Sequence, residues 1–190
     1  MMQNKNIKNM TLSAMFIAIG MVLPFLTAQI PQIGNMLLPM HIPVLLCGLI
    51  CGWQYGMSVG FILPIIRYVV FGMPILIPNG IAMACEMAVY GLVIGLIYNR
   101  SKWKCILSLY RAMLVSMLAG RIVWGVVRVL MMGLSSEAFS FKIFISGAFL
   151  TAMPGILLQL ILIPAIMLAL SKTGLIPFST GFKKNDRAPL

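Results

Sequence analysis

Acidic residues are almost absent from this chain. Its 190 residues include 3 Asp and Glu against 14 Lys and Arg, and all charged residues together make up 9% of the sequence. A soluble domain keeps about a quarter of its residues charged, so that water can solvate its surface. Charges are too few here to cover a water-facing surface, and apolar runs long enough to span a bilayer recur. The sequence therefore predicts an integral membrane protein.

Motifs that carry enzyme chemistry are missing as well. The chain has a single histidine, and its sequence contains no Walker A, HExxH or GxSxG motif. Among its 4 cysteines, Cys47 and Cys51 share a helix face but lack the histidine and carboxylate neighbours of a metal site. We therefore predict no catalytic residue, no metal and no cofactor, and interpret the cysteines as small packing residues.

Apolar segments separated by breakers and polar turns predict an all-α bundle of six transmembrane helices. A charge-free loop, 29–38, follows the first helix, and Trp53-Gln54-Tyr55 is predicted to form a tight turn into the third. Residues 1–171 are predicted to form one membrane domain and 172–190 a basic cytoplasmic tail. The six predicted helices cover residues 10–28, 40–52, 56–71, 79–98, 105–132 and 143–170.

The charges of the loops predict the orientation of the bundle. Six crossings place the N-terminal segment, the second and fourth loops and the tail on one side of the membrane. Short basic loops stay in the cytoplasm, so both ends are predicted to be cytoplasmic. The opposite side has Lys142 and Glu137. The predicted cytoplasmic side has one acid, Asp186, and the basic residues Lys5, Lys8, Arg100, Lys102, Lys104, Lys172, Lys183, Lys184 and Arg187.

Ionisable side chains inside a membrane are costly and mark functional sites. A rise of about 1.5 Å per helical residue places His41, Arg67, Glu86, Arg121 and Arg128 in the outer half of the predicted bundle. Three arginines against one glutamate leave a net positive charge, which favours an anionic ligand. The alternative is structural: Glu86 neutralises one arginine, and another reaches the outer interface.

Two of these arginines share a helix face with a tryptophan. Arg121, Trp124 and Arg128 are spaced i, i+3 and i+7, so an aromatic surface lies between two guanidinium groups. Arginine suits bidentate binding of carboxylate or phosphate and stacks on aromatic rings. This face is the strongest candidate for ligand contact.

Other candidates have two interpretations each. Tyr90, four residues after Glu86, and Asn79 could add donors and acceptors to the site, but Asn79 could equally cap the fourth helix. His41 could contact ligand or make a hydrogen bond at a helix start. The predicted substrate-binding residues are Arg128, Arg121, Trp124, Glu86, Arg67, His41, Asn79 and Tyr90.

Two stretches carry a resemblance to a known family. Residues 9–18 read NMTLSAMFIA, with Ala14 and Ala18 forming a small-xxx-small pair that lets helices approach closely. Residues 42–56 read IPVLLCGLICGWQYG, an apolar run that ends in glycines and re-enters the membrane at once. In these stretches, and in its length and six helices, the chain resembles the substrate-binding S component of an energy-coupling factor (ECF) transporter, which takes up vitamins in prokaryotes.

The resemblance implies a partner complex and a binding pocket. The partners are a membrane coupling protein, which Ala14 and Ala18 are expected to face, and two cytoplasmic ATPases. The pocket lies in the outer half of the membrane under the loop after the first helix, here 29–38, and holds a vitamin-like substrate. The expected location is the prokaryotic cell membrane.

Among known family substrates, the positive charge of the site makes pantothenate the first candidate. The stretch 40–43, MHIP, is similar to the start of nickel and cobalt S components, where the free amine helps bind metal. Because it is internal here, a metal substrate is not predicted. The alternative from another class is a membrane scaffold or assembly protein that needs no ligand.

Overall fold

The computed structural model describes residues 2–27, 38–73, 75–101, 104–133 and 153–172. Five of the helices they form are long and apolar enough to cross a membrane, and a sixth, α2, is shorter. The prediction of an all-α bundle of six membrane helices is confirmed. The helices are α1 (Met2–Val22), α2 (His41–Cys51), α3 (Trp53–Phe71), α4 (Ile81–Arg100), α5 (Ile106–Gly133) and α6 (Met153–Lys172).

Several predictions concern residues outside the described ranges. The loop expected to cover the site lies at 29–38, of which the structure describes Leu38 alone. The predicted sixth helix began at 143, and its described part begins at Met153. Lys102, Glu137, Lys142 and nearly all of the basic tail also lie outside. The charge asymmetry that orients the bundle therefore stays a prediction.

The short helix α2 lies at the centre of the bundle. It has 11 residues, and Ile50 is the one among them that is not buried. At about 1.5 Å per residue it covers roughly half of a hydrocarbon core about 30 Å thick. It packs against α1, α3, α4 and α6, as expected of a helix that is apolar all round. Its first residue, His41, consequently lies inside the protein.

The predicted turn at Trp53-Gln54-Tyr55 is wrong, because these residues already belong to α3. The chain changes direction at Gly52 instead, where φ is +102°. Glycine adopts this conformation without the steric cost that a side chain would bring. The amide of Gly56 donates to the carbonyl of Gly52 at 3.0 Å, so helical hydrogen bonding resumes at once.

Glycines bring α2, α3 and α4 into backbone contact. A Cβ atom built on Gly56 would lie 2.6 Å from the Cα of Gly48 and 2.8 Å from the carbonyl oxygen of Gly91. A Cβ atom on Gly91 would in turn meet the backbone of Gly56. Small residues allow this approach in lipid, where close packing helps to drive helix association. The contact sets the spacing of α2, α3 and α4.

Replacing Gly91 with valine is therefore expected to destabilise the bundle by at least about 1–3 kcal/mol, the usual cost of overpacking. The measurement is thermal unfolding of purified protein in detergent. Ala18→Val, on the exposed face of α1, is the matched control and should leave the unfolding temperature nearly unchanged. Equal stability of Gly91→Val and wild type would contradict the close contact of α3 and α4.

Candidate functional site

Four buried side chains from three helices meet around one carboxylate oxygen, Oε1 of Glu86 in α4. The hydroxyl of Tyr90, one turn further along α4, donates to this oxygen at 3.0 Å. Nη1 of Arg121 in α5 lies 3.3 Å from it, and Nε2 of His41 in α2 lies 3.8 Å from it. The side chain of Arg121 is 6% exposed and that of Glu86 is 2% exposed. These four residues are called the Glu86 cluster below.

The local sequence explains two sides of this cluster. Residues four apart on a helix face the same way, so Glu86 and Tyr90 meet within α4. The ring of Tyr90 also packs edge-on against the ring of His41, with centroids 5.2 Å apart. Arg121 reaches the carboxylate from α5, next to Gly120, where any Cβ would collide with the ring of Tyr90. The missing side chain lets α5 approach closely enough for the ion pair.

Several nitrogen atoms of the Glu86 cluster have no hydrogen-bond partner among the described residues. They are Nε and Nη2 of Arg121 and both ring nitrogens of His41. Nε and Nη2 share one edge of the planar guanidinium, whereas Nη1 faces Glu86. An unsatisfied buried donor costs about 1–3 kcal/mol, and proteins leave few of them. This edge therefore offers a preformed pair of donors to an acceptor oxygen.

The structure excludes one of the two interpretations of His41, a side-chain hydrogen bond at the helix start. Its backbone amide donates to the carbonyl of Leu38 at 3.1 Å, so the main chain makes the hydrogen bond at the helix start. The side chain is fully buried and is directed at Glu86 instead. His41 therefore belongs to the polar cluster and does not cap its own helix.

A second group lies nearer the C-terminal end of α5. The Arg128 guanidinium donates to Oδ1 of Asn79, and its central carbon lies 5.2 Å from the centre of the Trp124 ring. Within the described ranges Arg128 has no carboxylate partner. Arg128, Trp124 and Asn79 are called the Arg128 group below.

The capping interpretation of Asn79 is wrong. Helix α4 begins at Ile81, its N-cap is Gly80, and no side chain makes a capping hydrogen bond there. Asn79 lies in a π-helical turn, Leu76–Gly80, that precedes the helix. Since it does not cap α4, its amide oxygen can accept from Arg128.

Arg67 was predicted to join the other arginines, but the structure places it with neither group. Its Nη1 donates to the carbonyl of Met21 at 3.1 Å, and its guanidinium lies 5.5 Å from the centre of the Phe71 ring. Phe71 in turn packs edge-on against Phe25, with centroids 5.0 Å apart. The carbonyls in the last turn of a helix lack partners within the helix, and Arg67 satisfies one of them. Its visible role is to tie the end of α1 to α3.

The sequence interpretation missed Gln159 in α6. Its side chain is 1% exposed, and its Nε2 donates to the carbonyl of Leu38 at 3.4 Å. Leu38 has a positive φ of +49°, which is uncommon for a residue with a side chain. The signal was available, because a lone amide inside an apolar membrane helix is costly and needs a reason. Gln159 connects α6 to the chain that leads into His41.

The surface of α1 is the most open of the membrane helices. In the most hydrophobic stretch of its span, Asn6–Phe25, 22% of the residues are buried, against 56% in α4. Ala14 and Ala18 are both exposed on it. Beside them an apolar groove of about 410 Å³ runs between α1, α2 and α6, with Met15, Leu46 and Ile166 among its walls.

The fold and the site together define a class. The chain is a multi-pass helical membrane protein with a buried polar cluster, some of whose donors have no partner among the described residues, inside a largely apolar bundle. A family model described as ECF transporter, substrate-specific component, matches residues 8–167. The chain belongs to this family, and the resemblance noted in its sequence is confirmed. No curated protein matches it.

Family membership establishes the coarse function. The protein is a multi-pass subunit in the cell membrane that gives an ECF importer its substrate specificity. It associates with a coupling protein and with ATPase subunits. ATP hydrolysis takes place in those separate partners, so this chain is a transport subunit and not an enzyme.

Proposed function

We propose that this subunit binds a small, water-soluble, vitamin-like nutrient that carries an anionic group, with pantothenate as the first candidate. The binding site comprises the Glu86 cluster and the Arg128 group, in the outer half of the membrane. One observation carries the proposal: Glu86 is the sole carboxylate in the described ranges, and it faces Arg121 and His41 while Arg128 lies on the same helix as Arg121. The site therefore has a surplus of positive charge.

The physical setting makes this surplus effective. A charge–charge interaction is several times stronger in an apolar protein interior than in water. Arg121 and Arg128 are seven residues apart on α5, which corresponds to about 10 Å along the helix. That span suits a molecule of vitamin size. Trp124 lies between them in sequence and offers a flat apolar surface for its middle portion.

The first test is direct. Protein purified in mild detergent is expected to retain a small anionic molecule, identified by mass spectrometry after denaturation. After dialysis it should bind pantothenate with one site per chain, measured by isothermal titration calorimetry. Absence of any retained molecule, together with failure to co-purify with coupling and ATPase subunits when all are co-expressed, would contradict the proposal.

A scaffold role without a ligand makes the opposite prediction for the arginines. Replacing Arg121 and Arg128 together by Gln would then leave nutrient uptake by cells unchanged. The edge of Arg121 that has no partner among the described residues favours the binding role, because proteins leave few buried donors unsatisfied.

The coupling protein is proposed to dock on α1. Ala14 and Ala18 present an exposed small-residue face, and small residues let a neighbouring helix approach closely in lipid. The apolar groove beside this face adds a concave surface for a partner helix.

Ala14→Trp is therefore expected to abolish assembly with the coupling and ATPase subunits while leaving substrate affinity unchanged. Assembly is measured by co-purification, and affinity by calorimetry on the isolated subunit. Leu118→Trp, at an exposed position of α5, is the matched control and should assemble normally. Normal assembly of Ala14→Trp would move the docking surface elsewhere, and loss of both properties would indicate misfolding.

A further inference from the structure

We infer that the substrate is bipartite: its anionic group binds at Arg128, and an uncharged group with hydroxyl or amide oxygens binds at the Nε and Nη2 edge of Arg121 beside His41. This inference rests on the proposed function and specifies the substrate class and its orientation. It differs from the simplest expectation, in which the deeper and more buried arginine would hold the anion.

Charge balance decides against an anion at Arg121. Its guanidinium is already paired with Glu86 at 3.3 Å, so the two charges cancel inside the bundle. A second carboxylate on the other edge of Arg121 would share one guanidinium with Glu86 and leave a net negative charge where both side chains are buried. Uncompensated buried charge is strongly unfavourable. An uncharged oxygen can accept from the same edge without that cost.

The hydrogen-bonding inventory indicates what the uncharged group must offer. Nε and Nη2 of Arg121 are donors on one edge, and neither has a partner among the described residues. A neutral imidazole adds one donor and one acceptor, and both ring nitrogens of His41 are also unpartnered there. The complementary ligand group has oxygen acceptors for Arg121 and a hydroxyl or amide hydrogen for His41.

Arg128 has the opposite character. Its guanidinium donates to the neutral amide oxygen of Asn79, which orients the guanidinium without neutralising it. Trp124 supports one face of the group. A carboxylate or phosphate on the remaining donors would form charge-assisted hydrogen bonds, about twice as strong as neutral ones. The anionic end therefore belongs here, about 10 Å along α5 from the uncharged end.

A comparison of pantothenate with panthenol tests the two ends of such a molecule separately. Both carry hydroxyl and amide groups, and panthenol has an alcohol in place of the carboxylate. Their affinities are measured by isothermal titration calorimetry for wild type, Arg128→Gln and the charge-neutral double variant Glu86→Gln/Arg121→Gln. Wild type is expected to prefer pantothenate by about 10- to 100-fold, the value of one charged hydrogen-bonding contact.

The two variants are expected to respond differently. Arg128→Gln should bind both compounds equally, because the group that senses the carboxylate is gone. Glu86→Gln/Arg121→Gln should weaken both compounds by a similar factor and keep the preference for pantothenate. Loss of the preference in the double variant, with its retention in Arg128→Gln, would overturn the inference and place the anion at Arg121.

Failure of the inference and failure of the proposed function give different results. If wild type binds neither compound, the molecule that co-purifies is identified by mass spectrometry and its retention is compared in the same two variants. A retained molecule without an anionic group, or without hydroxyl or amide oxygens, overturns the inference and leaves the binding function intact. A wild-type protein that binds neither compound and retains nothing overturns the proposed function, and the inference falls with it.

Discussion

Arg121→Gln is expected to destabilise the protein by about 3–5 kcal/mol, the usual cost of removing one partner of a buried ion pair. Glu86 would keep its place, 2% exposed, but would lose the guanidinium that lies 3.3 Å away. Tyr90 would still donate to Oε1, which satisfies a lone pair but not the charge. The loss should appear as a lower unfolding temperature in detergent and a lower yield of monodisperse protein.

The double variant Glu86→Gln/Arg121→Gln tests the cause. It removes both charges and keeps amide groups that can hydrogen-bond, so it should recover most of the stability lost in Arg121→Gln. Coupled partners of this kind give strongly non-additive changes in a double-mutant cycle. Arg111→Gln, at an exposed position near the start of α5, is the matched control and should change little. Additive losses from the Glu86 and Arg121 substitutions would show that the two side chains do not act as a pair.

Arg128→Ala is expected to weaken substrate binding by about 10- to 100-fold, the value of the lost charged contact with the anion, while expression and stability stay at wild-type levels. The physical reason is the contrast with Arg121. Arg128 has no carboxylate partner in the described part of the chain, so its removal leaves no carboxylate of that part unpaired. Loss of this charge from the predicted outer half of the membrane also removes the free-energy cost of holding it there. Calorimetry measures affinity, and fluorescence-detected size-exclusion chromatography measures expression.

Arg67→Gln is the informative comparison for that experiment. Arg67 is buried and bonded to the Met21 carbonyl, so its loss should lower stability and leave the affinity of the folded protein intact. If Arg128→Ala bound substrate normally and Arg67→Gln lost affinity, Arg67 and not Arg128 would be the arginine that contacts the substrate.

Within the site, the expectations from sequence that agree with the structure concern neighbours along the chain. The contact of Glu86 with Tyr90 follows from their spacing of four residues on one helix. Arg128 and Trp124 meet because they are four apart on α5, and the structure shows the cation over the ring. The predictions that did not hold concern places where the helical pattern stops. The chain turns at Gly52, whose positive φ the neighbouring residues do not reveal, and α4 begins two residues after Asn79, at Ile81.

The grouping of the arginines shows the same division more sharply. Depth in the membrane could be estimated from helix length, so all three were predicted to lie in the outer half. The depth of an arginine in the membrane does not determine which neighbouring helix its side chain faces. Arg67 turns toward Met21 in α1, Arg121 toward Glu86 in α4, and Arg128 toward Asn79 before α4.

The sequence by itself determined the medium, the helical class, the family and the contacts within each helix, because composition and the helical repeat are local properties of the chain. The tertiary structure alone decided which arginine pairs with Glu86, and it leaves Arg67 and Arg128 without a carboxylate partner among the described residues. That choice depends on how far each helix is rotated and shifted against its neighbours. The rotation and shift are set by backbone contacts such as that of Gly56 with Gly91 and by the burial of α2, to which residues distant in sequence contribute together.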